Sequence, residues 1–237
     1  MSSSNKFMKK SSKRYTKALE VADLGNGYSV PEAIELLKKM PKAKFDETVV
    51  LSVHLGVDPK QSDQMVRGTV SLPHGSGRRV KVLAFTDDPA GALAAGADEA
   101  GLHDILQKIN DGWLDFDVAV ATTSAMKEVR SAARILGPRG LMPNPKTGTV
   151  SDDLPSAIQA VKAGRVEFKM DKTANLAIVV GKRSFEEPKL VENCDMAIDV
   201  LSKMRPTDFR GKFVESMTIA GSMTPGIRLS QKIFGKF

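Results

Sequence analysis

Between Thr69 and Gln159 short apolar stretches alternate with helical ones, and no other feature of the chain restricts its fold so much. Thr69–Leu72 reads as a short strand, His74-Gly-Ser-Gly77 as a turn and Val80–Phe85 as a buried strand. Asp88-Pro89 caps a small Ala-rich helix, and Leu102–Ile109 forms the next. Val118–Ala121 is a strand, and Ser124 caps a helix that runs to Leu136. Asp152 or Asp153 caps a further helix, which Gly164 ends. Strands and helices in alternation predict a three-layer α/β unit with a mainly parallel sheet.

The flanks have a different texture. Lys6, Lys9, Lys10, Lys13, Arg14 and Lys17 form a basic N-terminal arm, read either as a solubilising tail or as a non-specific RNA contact. The arm leads into a short helix that ends before Gly25. Ser29-Val-Pro-Glu32 has capping-box spacing and opens a helix that Pro41 stops. From Glu47 to Leu55, Val49, Leu51, Val53 and Leu55 alternate with Thr48, Val50, Ser52 and His54, which predicts a strand with one apolar face. Arg165–Met170 and Leu176–Val180 flank a turn near Asp171–Asn175 and read as a hairpin. Pro188–Met204 is a helix whose Leu190, Cys194, Ile198 and Leu201 share a face, so Cys194 reads as a core residue. Lys212–Ala220 is a strand, and Gly221-Ser-Met-Thr-Pro-Gly226 a turn with Met223 at its tip. A basic tail follows.

The distribution of charge says more than its total of +7. Residues Thr69 to Gln159 carry 9 Lys/Arg against 11 Asp/Glu, whereas the rest of the chain carries 26 against 17. If the two ends fold together, that unit is the one suited to a phosphate backbone. The single cysteine excludes an internal disulfide. No apolar run approaches bilayer length, and the basic N-terminus lacks the apolar segment of a secretory signal, so a cytoplasmic protein without a membrane partner is expected. His54, His74 and His103 lack zinc-ligand spacing, and the Asp87-Asp88 and Asp115/Asp117 pairs suit strand ends and caps, so neither a metal nor catalysis is expected. Only 13 residues are aromatic, without the clustering that stacks successive bases. Specific RNA binding would therefore rest on shape, backbone contacts and a few placed side chains.

One stretch competes for the function. Gly140-Leu-Met-Pro-Asn-Pro-Lys146-Thr147 fits a phosphate loop except that Pro145 replaces its second Gly. A phosphate loop presents successive N–H groups, and Pro143 and Pro145 have none. A nucleotide-dependent enzyme using Gly140–Thr147 is nevertheless the rival reading, and a nucleic-acid chaperone acting through the N-terminal arm is a third. Arg139 and Lys146 are candidates for secondary RNA contacts from a rigid loop.

Several segments together resemble the universal L-one family, the first protein of the bacterial large ribosomal subunit. They are Lys44-Phe-Asp-Glu-Thr-Val49, Arg67-Gly-Thr-Val-Ser-Leu-Pro-His-Gly75, Ala95-Ala-Gly-Ala-Asp98, Gly112-Trp-Leu-Asp-Phe-Asp117, Ile135–Val150 and Lys162-Ala-Gly-Arg-Val-Glu-Phe168. The resemblance implies a two-domain α/β protein. Residues 1–68 and 160–237 would form a discontinuous RNA-binding domain, and residues 69–159 a Rossmann-like three-layer domain inserted through a two-strand hinge. It implies a non-enzymatic constituent of the ribosome, without cofactor and monomeric off it, that binds large-subunit rRNA in the mobile stalk near exit-site tRNA. It also implies assistance in release of deacylated tRNA, and repression through its own operon mRNA. The positions carried over as RNA-binding are Lys44, Phe45, Thr48, Glu167, Ser216, Thr218, Ser222, Met223 and Gly226. Where the family usually has Thr-Met-Gly-Pro, this chain has Ser222-Met-Thr224-Pro225, which puts the contact at Thr224 in question. The family's usual His after the hairpin is replaced near Ala177.

Overall fold

The computed structural model describes residues 12–23, 25–61, 64–206 and 209–235. Most of the basic arm, including Lys6, Lys9 and Lys10, lies outside the described residues, as does the end of the C-terminal tail. The chain divides into two compact units, Met1–Val66 with Phe168–Phe237, and Arg67–Glu167.

The first unit opens with α1 (Lys13–Val21), capped by the Ser12 side chain at the Tyr15 amide. In α2 (Val30–Lys39) the Ser29 amide donates to Glu32 at 2.9 Å, half of the capping box, and Pro31 sits in the first turn. β1 (Thr48–Leu55) buries Val49, Leu51, Val53 and Leu55.

The second unit contains β2 (Arg67–Ser71), β3 (Val82–Phe85), α3 (Pro89–Ala94), β4 (Glu99–Gly101), α4 (His103–Asn110) and β5 (Val118–Ala121). It continues through α5 (Met126–Val129), a 3₁₀ turn (Arg130–Ala132), α6 (Ala133–Leu136), a second 3₁₀ turn (Pro145–Thr147), α7 (Leu154–Lys162) and into β6 (Arg165–Lys169). Its parallel sheet has the order β4-β3-β5. Side chains alternate across β3. Leu83 and Phe85 join Ile105, Ile109, Val129 and Leu136 on one face; Val82 and Ala84 join Ala92, Leu154, Ile158 and Val161 on the other. The alternation of elements thus makes three layers, as expected.

Three details differ from the sequence reading. β4 was not anticipated: Glu99-Ala-Gly is too short and too polar to stand out as a strand, and its pairing with β3 defines it. Ser124 does not cap a continuous helix. Thr122 Oγ1 takes the Ala125 amide at 3.2 Å, and the segment to Leu136 is interrupted by its 3₁₀ turn. The expected hairpin does not form either.

β6 pairs with β2, and β7 (Asn175–Lys182) pairs with β1. The turn between them is still tight. The Asp171 carboxylate accepts from the Thr173 and Asn175 amides, both at 2.8 Å, and Ala174 adopts φ 59°. It passes the chain from one sheet to another instead of folding a strand onto its neighbour. β1 is instead paired along both edges, with β7 on one and β8 on the other.

α8 (Glu187–Lys203), β8 (Val214–Gly221), β9 (Ile227–Arg228) and α9 (Gln231–Phe234) complete the first unit. Its antiparallel sheet has the order β7-β1-β8-β9. α2 and α8 pack on each other and on this sheet, and Ile34, Leu37, Leu190, Cys194 and Leu201 are fully buried beside Leu51, Ile178, Met217 and Ile219. Burial pushes the Cys194 thiol up to about 12, as suits a core residue and not a nucleophile. Among the described residues, no helix is long and apolar enough to cross a membrane.

Candidate nucleic-acid interface

The sheet of the first unit has one face under helices and one that carries small and hydroxyl side chains. Strand alternation places Thr48, Val50, Ser52 and His54 of β1 on the second face. Register sets Ser52 opposite Thr218 on one side and Ala177 on the other, with Thr218 opposite Arg228. A second row runs through Asn175, His54 and Ser216. There His54 Nδ1 lies 2.8 Å from Asn175 Oδ1, and Nε2 lies 3.3 Å from Glu215. Ser216 and Thr218 are half-buried, and Ser52, Ala177 and Arg228 are exposed.

Two loops meet at one end of this sheet. Because β1 and β8 are antiparallel with Val49 opposite Gly221, the loop before β1 lies beside the loop after β8. The join is bonded. The Thr48 amide donates to Ser222 Oγ at 3.1 Å, and Lys182 Nζ donates to Thr48 Oγ1 at 2.9 Å. Phe45 is 53% exposed and Met223 52%, so neither is a core residue. Lys44 and Ser222 are exposed as well, and Thr48 is half-buried. Residues far apart in sequence therefore present an aromatic ring, a thioether, a cation and hydroxyls at one sheet end.

The departure at Thr224 resolves locally. Its Oγ1 accepts the Gly221 amide at 2.7 Å, so the side chain closes its own turn instead of projecting from it. Gly226 is required by packing: a Cβ there would lie 2.6 Å from the Thr218 methyl.

Beneath the loops lies a feature that sequence reading missed. Glu47 and Arg183 form a buried ion pair at 3.0 Å, their side chains 0% and 3% exposed. Glu47 also accepts the Ala43 amide at 2.8 Å and lies 3.5 Å from Arg14. Arg183 donates to the Leu37 carbonyl at 2.7 Å and also to that of Met40, with longer contacts at 3.4 Å to those of Lys38 and Pro41. Asp46, one residue before Glu47, accepts the Ser184 hydroxyl at 2.8 Å and its amide at 3.1 Å. In sequence Glu47 is an acidic residue at a strand entry and Arg183 a cation in a turn. Nothing local signals that a fold-wide pairing buries both.

The remaining candidates lie in the second unit. Glu167 is on β6, bonded by Arg67 at 2.6 and 2.9 Å, and belongs to Arg67–Glu167, not to the unit that holds the two loops. Arg139 is exposed. Lys146 falls in the 3₁₀ turn, and its side chain is outside the described residues. The loop between them is internally bonded. The Thr147 hydroxyl is fully buried, 3.0 Å from the Asn144 carbonyl and 3.1 Å from Thr149 Oγ1. A phosphate loop needs that hydroxyl free and a helix starting at the lysine, and here a 3₁₀ turn occupies the place.

Known proteins match the chain along most of its length. The family described as Ribosomal protein L1p/L10e matches residues 37–225. The "Large ribosomal subunit protein uL1" of Kosmotoga olearia is 51% identical over 227 residues, 95% of this chain and 98% of its own. The protein of the same name from Persephonella marina is 50% identical over 228 residues, 94% of each chain. That of Saccharopolyspora erythraea is 49% identical over 222 residues, 93% of each.

Proposed function

Because the chain belongs to the ribosomal protein L1p/L10e family, we propose that it is a structural, non-catalytic constituent of the large ribosomal subunit that binds large-subunit rRNA directly. The unit built from both chain ends is the main hold on the RNA. The observation that carries this reading is the joined pair of loops bearing exposed Phe45 and Met223 beside a hydroxyl-lined sheet face. Apolar side chains left in water at a site with little else to bury them suit ribose and base faces. The Ser216, Thr218 and Ser222 hydroxyls suit phosphate and 2′-OH groups. Lys44 and Arg228 supply charge that screens with salt.

On the ribosome this RNA forms the mobile stalk, and the protein assists departure of deacylated tRNA from the exit site. Free protein represses translation by binding a similar structure in its own operon mRNA. Arg139 and Lys146 make secondary contacts only.

The test is binding of the full chain to a transcript of the large-subunit stalk segment at several salt concentrations. Phe45→Ala and Met223→Ala each weaken binding by about tenfold or more, on the scale of one lost stacking contact. Arg139→Ala stays within about threefold. Wild-type binding by both Ala variants, with loss on Arg139→Ala, would place the RNA on the inserted unit.

A further inference from the structure

We infer that Arg183, a residue with no surface of its own at the interface, is the positioning residue for the loop carrying Lys44 and Phe45. The inference rests on the proposed RNA-binding role and adds the device that orders its site.

The loop from Met40 to Glu47 needs such a device. Among the described residues, Lys44 has no ion pair, and Phe45 is 53% exposed. Neither can hold its own backbone in place. Arg183 fixes both ends of the loop at once. One guanidinium nitrogen reaches the carbonyls of Leu37, in the last turn of α2, and of its cap residue Met40, and the other reaches Glu47 at the entry to β1. Glu47 passes the restraint into the loop through the Ala43 amide. The same carboxylate lies against Gly221 at the end of β8, where an added Cβ would sit 2.8 Å from Glu47 Oε2. One buried pair thus ties together the end of α2, the loop and the entry to β1.

The chemistry requires arginine. A planar guanidinium donates from two nitrogens in a fixed fork, whereas a lysine offers one point charge on a flexible stem. Arg183→Lys keeps the charge that neutralises buried Glu47 but cannot bridge the helix end and the carboxylate. The loop then samples several conformations, and RNA binding must restrict them again, at a cost to affinity.

The experiment uses the full chain and a transcript of the large-subunit stalk segment. Arg183→Lys should keep a cooperative thermal transition yet bind about tenfold more weakly. In a Phe45→Ala background the same substitution should cost threefold or less, because the ring it positions is gone. An affinity equal to wild type, or an equal loss in both backgrounds, overturns the inference. Hydrogen exchange of the unmodified free chain covers the case in which Arg183→Lys does not fold. The Ala43 amide should be protected, and exchange at the rate of an open loop overturns the inference without reference to RNA. Failure of the unmodified chain to bind the transcript, with Ala43 protected, would instead remove the proposed function and leave the anchor standing.

Discussion

The Thr224 hydroxyl lies 2.7 Å from the Gly221 amide, and that single bond turns a β-branched residue in the loop after β8 into part of its scaffold. Thr224→Val keeps the shape and leaves the amide without its partner. A loss of about 1 kcal/mol is expected in urea unfolding, with weaker RNA binding because the turn loosens. Gly226 yields a sharper test. An alanine there meets the Thr218 methyl, so Gly226→Ala should lower RNA affinity by about tenfold, or ~1.4 kcal/mol. Thr218→Ser removes that methyl and keeps the hydroxyl, so the double variant should recover most of the loss. Lack of recovery would mean that Gly226 is needed for approach of the RNA itself. Residue chemistry of this kind was half legible. The glycines and hydroxyls stood out in sequence as special, but whether each faces the ligand or its own neighbour depends on contacts between distant strands.

At the scale of elements, legibility followed the range of the interaction. The α2 capping box lies within four residues, and β1 declared itself by alternation, so both could be read directly. The β6–β7 hairpin misled because a good turn signal is local whereas pairing is not. Asp171 accepts amides from Asn175 and Thr173, the Asn175 bond first in effect, and these hold its carboxyl below the ordinary range. A depressed folded-state value adds stability that is complete above the unfolded-state value and is lost as pH falls through the lower one. Protection of the Asn175 amide should therefore persist through the usual carboxylate range and fail only at more acid pH. Asp171→Asn should abolish that acid step, and an unchanged step would assign it to another group. In the core beneath the sheet, Leu37→Ala should cost about 2–5 kcal/mol by removing a fully buried side chain between α2 and its partners.

At the scale of the whole molecule the chain divides into two compact units. Charge in the sequence already divided the chain into a near-neutral middle and strongly basic ends. It could not show which residues of those ends come together, because the joining of β1 to β8 is a long-range pairing. Nor could it reveal the buried pair of Glu47 and Arg183, since both partners look like surface charges until the sheet forms. The Gly140–Thr147 loop offered the rival reading, yet its buried Thr147 hydroxyl serves internal order. The central claim is that RNA is held by the two loops of the end-built unit. It is tested most directly by crosslinking on assembled ribosomes, with identification of both the peptide and the nucleotide. The expected result is that rRNA crosslinks concentrate in residues 44–48 and 216–226. Crosslinks confined to the inserted unit, around Arg139 and Lys146, with none in the two loops, would contradict it.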